Sequence, residues 1–535
     1  MSSPTQRPFD ASSASSANSN TSPRLSVAMI VKNEAAALAE TLESIESIAD
    51  EIVIFDTGSS DATWQIAAPF SSTLVEGEWH DDFSAARNAC LAKVHGDWVL
   101  WLDAGERLTP RGAEQLRQFV DQDADPRKAY MLLVQVPPQP GHVAGEQIGA
   151  VRLVPNYPGI RFTGRVREQI APSLAEKGIE LEGLPYRIQR GQRHHDPQNK
   201  LRKARRDLML AQREIDECGE SARLLNCVGD ANQLLGEATI AVDCYRRAVA
   251  AAEPKSAEML EAYYGVLSSL DGQPDARSQQ LSVCVEALEH YPLDIQLLCA
   301  MGGYLQQLGR RDLATRAYQT ASEYGLVHPQ TWHLSNIQEV AVMCYSLSLQ
   351  LDGKDEAARQ ALEAALSRQG ESVTLRRQLI ELHVKHGRRA EALAQLECLP
   401  LNAQQSELLQ GALRGALLAA EKNWIPARSY LQAAYDGGCR DPLALRWLSI
   451  TLLSLECADE ARRVLGEWQK REPGNVEPGQ FLAAAADMVT EETSRQPVSG
   501  ASAPARQFRV DGGGKAGTPA TSSRAAAAHA SERAR

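Results

Sequence analysis

Beyond about residue 200 the chain loses its strand signals and begins to repeat itself. Gly229, Ala241, Tyr245, Ala248 and Pro254 keep a spacing that Gly302, Ala314, Tyr318 and Ala321 keep again, and that Gly415, Ala427, Leu431 and Ala434 keep a third time. Ala461, Leu465 and Pro473 close the series. A period of roughly 34 to 38 residues with small residues at fixed points predicts helical hairpins whose two helices approach closely, Tyr or Leu filling the gap between units. The pattern is degenerate around 261–292 and 339–396. The alternative, a bundle of unrelated helix pairs, leaves three in-register copies unexplained.

The first 200 residues read differently. "LSVAMIV", from Leu25, is a short continuous apolar run of the buried-strand type, and "AAALAETLESIESI" then sets Leu38, Leu42, Ile45 and Ile48 at helical spacing. "EIVIFD", "STLVEGEW" and "DWVLWLD" read as strands, with helices at "ATWQIAAPF" and "FSAARNACLAKV" between them. Strands alternating with helices imply βαβ units and a mostly parallel sheet that binds ligands at the carboxyl ends of its strands. Further strands are expected at "AYMLLVQV", "AVRLVP" and "GIRFTGRVREQI". The expected organisation is a tail over 1–23, an α/β domain over 24–200, an all-α solenoid over 201–484, and a second tail over 485–535. Both tails are rich in Ser, Ala or Gly and too poor in apolar surface to offset the entropy of ordering.

The charge balance narrows the function. A formal charge of −12 argues against a general nucleic-acid binder, which needs clustered Lys and Arg. A small anion held by backbone amides and an arginine remains compatible with it. The ten cysteines are scattered singly, without CxxC pairs or zinc-like spacing, and read as buried apolar residues in a reducing compartment. No apolar run is long enough to span a membrane, and the Ser-rich start lacks the apolar centre of a secretory signal. A cytoplasmic location is the expectation.

Candidate chemistry clusters at strand ends. "MIVKNE" places Lys32, Asn33 and Glu34 after the first strand. In "FDTGSSD", Asp56 closes the second strand and Gly58 permits a tight turn, while Ser59, Ser60 and Asp61 read as turn and helix cap. For Asp56, ligand binding and turn formation are equally compatible with the residues. "WHDDFSAARN" puts Arg87 in the first turns of a helix, where an anion could also meet free backbone amides; a solvated helix face is the plain alternative. In "WVLWLDAGE", Asp103 follows a strand so apolar that both its faces are expected to be buried.

In this order and spacing, "SVAMIVKNEAAALAETLESI", "DEIVIFDTGSSDAT", "EGEWHDDFSAARNACL", "GDWVLWLDAGE" and "GIRFTGRVREQI" resemble the family 2 glycosyltransferases, in the bacterial branch whose catalytic domain precedes tetratricopeptide repeats. The resemblance implies a glycosyltransferase A-type fold that takes a nucleotide-diphosphate sugar and transfers the sugar with inversion, the repeats holding a protein or peptide acceptor or partner. It implies that Glu34 and Asp56 contact the nucleoside, that Arg87 neutralises diphosphate, and that Asp103 opens a DxD-like motif near ribose and metal. Glu168, in "VREQI", is the candidate base. Two positions depart from the family pattern. Gly105 stands where LDADE has its second Asp, and Arg167 stands where VHEQI has His. Mn²⁺ or Mg²⁺ would then rest on Asp103 with Glu106, or with His194 or His195 of "QRHHD"; alternatively Arg167 supplies the positive charge itself. A degenerate transferase-like scaffold that binds partners through its repeats is the second reading.

Overall fold

The computed structural model describes residues 22–138, 144–191, 195–271, 273–370, 372–471, 478–483 and 485. Both expected tails therefore lie almost wholly outside the described residues.

The apolar runs at 25–31, 51–56 and 98–101 are strands buried on both faces. In β1 (Leu25–Val31) Leu25, Val27 and Met29 face one hydrophobic layer while Ala28 faces the other. The chain continues through α1 (Leu38–Glu43), β2 (Glu51–Asp56), α2 (Thr63–Ala67), β3 (Thr73–Glu76), α3 (Phe83–Leu91) and β4 (Trp98–Trp101). β1 pairs in parallel with both β2 and β4, and β2 with β3. That is the expected βαβ half, and it brings the ends of β1, β2 and β4 to one edge.

The second half of the sheet is mixed rather than parallel. It comprises β5 (Glu106–Arg107), β6 (Lys128–Val136), β7 (Glu146–Pro155) and β8 (Glu180–Arg190), with α4 (Pro110–Gln122) and α5 (Ala171–Glu176) between them. β7 runs antiparallel to β4 and β6, β8 runs parallel to β6, and β5 caps the far edge. The strand expected over "GIRFTGRVREQI" does not form. That segment is a loop closed by one bridge between Thr163 and Gln169, and its backbone enters the left-handed region at Gly164 and Arg167.

From α6 (Pro197–Cys218) onward the described chain is almost wholly helical. α7 (Ala222–Leu234) and α8 (Ala238–Ala251) form the first of seven hairpins that run to Arg471, and α9 (Ala257–Ser269) opens the second. The repeating glycines explain themselves here. A Cβ at Gly229 would lie 2.6 Å from the Tyr245 ring, one at Gly302 2.5 Å from Tyr318, and one at Gly415 2.6 Å from Leu431. Tyr245 also fills the space over Gly265 of the next hairpin, so one ring packs two units together.

The two halves are not beads on a string. Between the helices Arg311–Tyr324 and Ile337–Leu351 the chain leaves the solenoid and adds a short strand, β9 (His333–Leu334), to Glu146 and Gln147 of β7. This covers the part of β7 that β4, paired only with residues 153–155, does not reach. Gly149 N donates to Pro329 O at 2.7 Å, and a Cβ at Gly149 would close on that carbonyl. Among the described residues, no helix is long and apolar enough to cross a membrane.

Asp294, the N-cap of the helix Ile295–Gln307, is buried and accepts from Leu297 N and from the Tyr264 hydroxyl. Burial lifts its carboxyl to about 6, the hydrogen bonds offsetting only part of the effect. A carboxyl whose pKa is raised by folding stabilises the protein fully below its ordinary range and loses that contribution as pH rises through about 6. Asp294→Asn, which keeps the cap, is expected to gain about 3 kcal/mol on the wild type between about pH 4 and pH 7. Urea unfolding of both proteins across that range checks it; a pH-independent difference overturns the assignment.

Candidate functional site

The edge where β1, β2 and β4 end opens into a cavity of about 1070 Å³ between the α/β domain and the first repeats. Its lining runs from Lys32 and Glu34 through Arg87, Asp103 and Glu168 to Glu258, Glu261 and Trp332. Ten Lys or Arg and six Asp or Glu line it, and Glu106, Glu214 and Asp230 pair with lining arginines from behind, so the cavity keeps a small positive excess in a chain that is net negative.

Arg87 is the hub. Asp82 caps α3 by accepting from Ala85 N, which sets Arg87 in the first turns of the helix. Asn88 exchanges two hydrogen bonds with the Phe162 backbone, at 2.8 and 2.9 Å, and draws the 160s loop against α3. The Arg87 guanidinium lies over the rings of Trp101 and Phe162, donates from Nε to Glu168 at 2.6 Å and from Nη2 to Asp103 at 3.0 Å. Burial works against its charge, but the two carboxylates more than offset that and hold its pKa above the ordinary value. Three residues separated by up to 81 positions in sequence thus meet on one side chain.

The other candidates fall in different places. Glu34 lines the cavity beside Lys32, at the end of β1. Asp56 is buried and accepts from Gly58 N and Ser59 N, so one of its oxygens builds the turn after β2. Asp61 precedes Ala62, the N-cap of α2, and accepts from the amide and hydroxyl of Thr63 and from Ala35 N after β1, so it ties the two turns together. His195 turns its Nε2 to the Pro137 carbonyl at 2.7 Å, and His194 lies outside the described residues.

Residues 26–126 match the family model described as Glycosyl transferase family 2. They form a family 2 glycosyltransferase domain. The chain is also 38% identical, over 28% of its length and 36% of the relative's, to a TPR repeat-containing protein of Synechococcus elongatus. It is 31% identical, over 20% of its length and 37% of the relative's, to an uncharacterized glycosyltransferase of Rickettsia bellii. The chain therefore spans just over a third of the length of these curated relatives.

Against the glycosyltransferase pattern, the expected metal shell is rebuilt. Gly105 adopts a φ of +90° and donates to Thr41 Oγ1. A side chain there would be strained even though the only atom near its Cβ is that of Ala37. Glu106 does not turn toward the cavity as expected. It is 1% exposed, accepts from the Asp103 amide through one oxygen and from Arg152 and Arg190 through the other. Arg152 also reaches Asp103 at 3.4 Å, and Arg190 approaches it to 4.0 Å. Among the described residues, no three His, Cys, Asp or Glu groups converge as a metal site. The residues present do not fit a divalent ion.

Arg167 is likewise not a free cation for the donor. Its guanidinium pairs with Asp230 of α7 and with Glu261 of α9 at 3.2 Å, and these carboxylates, against the cost of burial, hold its pKa above the ordinary value. The same loop is gripped by Arg223, which donates to the Val166 carbonyl, and by Gln169, which donates to Glu258. Arg152 and Arg190 belong to no motif in the sequence: each is a lone Arg, one on β7 and one at the end of β8, and what marks them is their convergence on Glu106 in the fold.

Glu106→Gln should lower stability by about 3 kcal/mol, since it removes the nearer of the two anions that face two buried guanidiniums. Urea unfolding of the variant measures this. A Mn²⁺-induced rise in melting temperature of the wild type that the substitution removes would show Glu106 to be a metal ligand instead.

Proposed function

We propose that the protein transfers a sugar from a nucleotide-diphosphate sugar to an acceptor hydroxyl with inversion at the anomeric carbon. The observation that carries this reading is the meeting of Asp103 and Glu168 on Arg87 inside a net-positive cavity. The acceptor oxygen attacks the anomeric carbon from the face opposite the diphosphate. The bond from that carbon to the diphosphate oxygen breaks, its electron pair leaving with the nucleoside diphosphate, and the acceptor proton passes to the Glu168 carboxylate. Charge develops on the departing diphosphate, where Arg87 can meet it at no cost of reorganisation.

Glu34, with Asp56 behind it in the turn after β2, is assigned to the nucleoside end, and the groove between the 160s loop and α9 to the acceptor. A protein or peptide acceptor suits an entrance walled by a helical solenoid. The scaffold reading draws on Gly105 and on the capture of Arg167 by the repeats, and it predicts no turnover.

Incubation of the full chain with UDP-, GDP- and dTDP-sugars, followed by mass spectrometry of the released nucleoside diphosphate, separates the two. Glu168→Gln is expected to cut release by about 10²- to 10⁴-fold without weakening nucleotide binding. Absence of release from every donor, together with absence of nucleotide binding, would overturn the transferase reading in favour of the scaffold.

A further inference from the structure

Resting on the donor reading above, we propose that Arg87, Arg152 and Arg190 take the place of a divalent cation, holding the donor's diphosphate themselves, and that Asp103 and Glu106 serve to hold these arginines. The carboxylates an ion would need are already committed. Asp103 has Arg87 at 3.0 Å, Arg152 at 3.4 Å and Arg190 at 4.0 Å, and Glu106 has Arg152 at 2.8 Å and Arg190 at 3.0 Å. An ion entering this cluster would face three guanidiniums at close range in a buried setting, where like-charge repulsion is poorly screened. The backbone of Gly105 keeps a further carboxylate out of the turn.

Arg87 and Arg152 have donors to spare. Arg87 and Arg152 are 9% and 6% exposed, and both line the cavity. Among the described residues, neither Arg87 Nη1 nor Arg152 Nε has a hydrogen-bond partner, although both atoms are buried. A buried N–H without an acceptor is costly, and a phosphate oxygen is the acceptor that a guanidinium matches best in shape and charge. The cluster is electrically balanced: Arg87, Arg152 and Arg190 are matched by Asp103, Glu106 and Glu168. The surplus positive charge that a diphosphate needs comes from the cavity wall, where Lys32 and Arg202 stand. The arginines provide directed hydrogen bonds and the wall provides the net field.

Calorimetric titration of UDP, GDP and inorganic pyrophosphate into the full chain, in EDTA and then with excess Mn²⁺, tests this. The expected result is binding in EDTA that Mn²⁺ changes by less than about threefold, and a loss of about 10- to 100-fold in Arg152→Gln that Mn²⁺ does not restore. Arg152→Lys keeps the charge, and with it the fold if Arg152→Gln fails to fold, yet loses the fork; it should weaken pyrophosphate binding by about tenfold. Binding that strengthens about tenfold or more with Mn²⁺ would overturn the inference while leaving the donor reading intact. Absence of binding by all three probes in both conditions would overturn both.

Discussion

Six charged side chains sit together at the end of β4, and they can be buried there only because three guanidiniums and three carboxylates neutralise one another. Arg87, Asp103, Glu106, Arg152, Glu168 and Arg190 have side chains no more than 13% exposed. Each alone would be intolerable in that position. The requirement propagates outward. Arg152 must come from β7, Arg190 from β8 and Glu168 from a loop, so the mixed half of the sheet and the 160s segment must all reach the same strand end. Asn88, holding the Phe162 backbone, and Trp332, over whose ring Arg190 lies, are parts of the same scaffold.

That scaffold crosses from one half of the molecule to the other. The 160s loop is strained at Arg167, a non-glycine residue with a φ of +50°, and the strain is held by Asp230 and Glu261 on repeat helices. The residue next to it is Glu168. Whatever Glu168 does, its position is set by the first two helical hairpins as much as by the sheet. The repeats nearest the sheet thus work as a wall of the cavity, and those beyond Ile337 as a surface of their own.

What the sequence reveals follows from how local the determining contacts are. β1, β2 and β4 are legible because burial on both faces leaves unbroken apolar runs, and the hairpins are legible because Gly229 under Tyr245 recurs as Gly302 under Tyr318. Asp103, Arg87 and Glu168 are legible as candidates through motif order, although their roles rest on that resemblance alone. The loop at 160–170 imitates a strand in composition; Gly164 gave the one hint otherwise, and the Arg223 guanidinium now lies where its side chain would be. β8 and β9 carry no legible signal. β9 is two residues long and finds its partner 186 residues away, as Gln147 and His333 show, so no window of local periodicity could contain it.

The pairing of β9 with β7 also sets a clock. During synthesis the edge of β7 at Glu146 and Gln147 emerges long before His333 and Leu334 exist. At ordinary rates of translation the wait is roughly 10 to 40 s, during which an open strand edge and a half-built charged cluster face the cell. The nascent chain must make three hairpins of its solenoid before its sheet is finished. For this protein, the order of folding along the ribosome runs against the order of the gene: the first domain begun is completed only after part of the second.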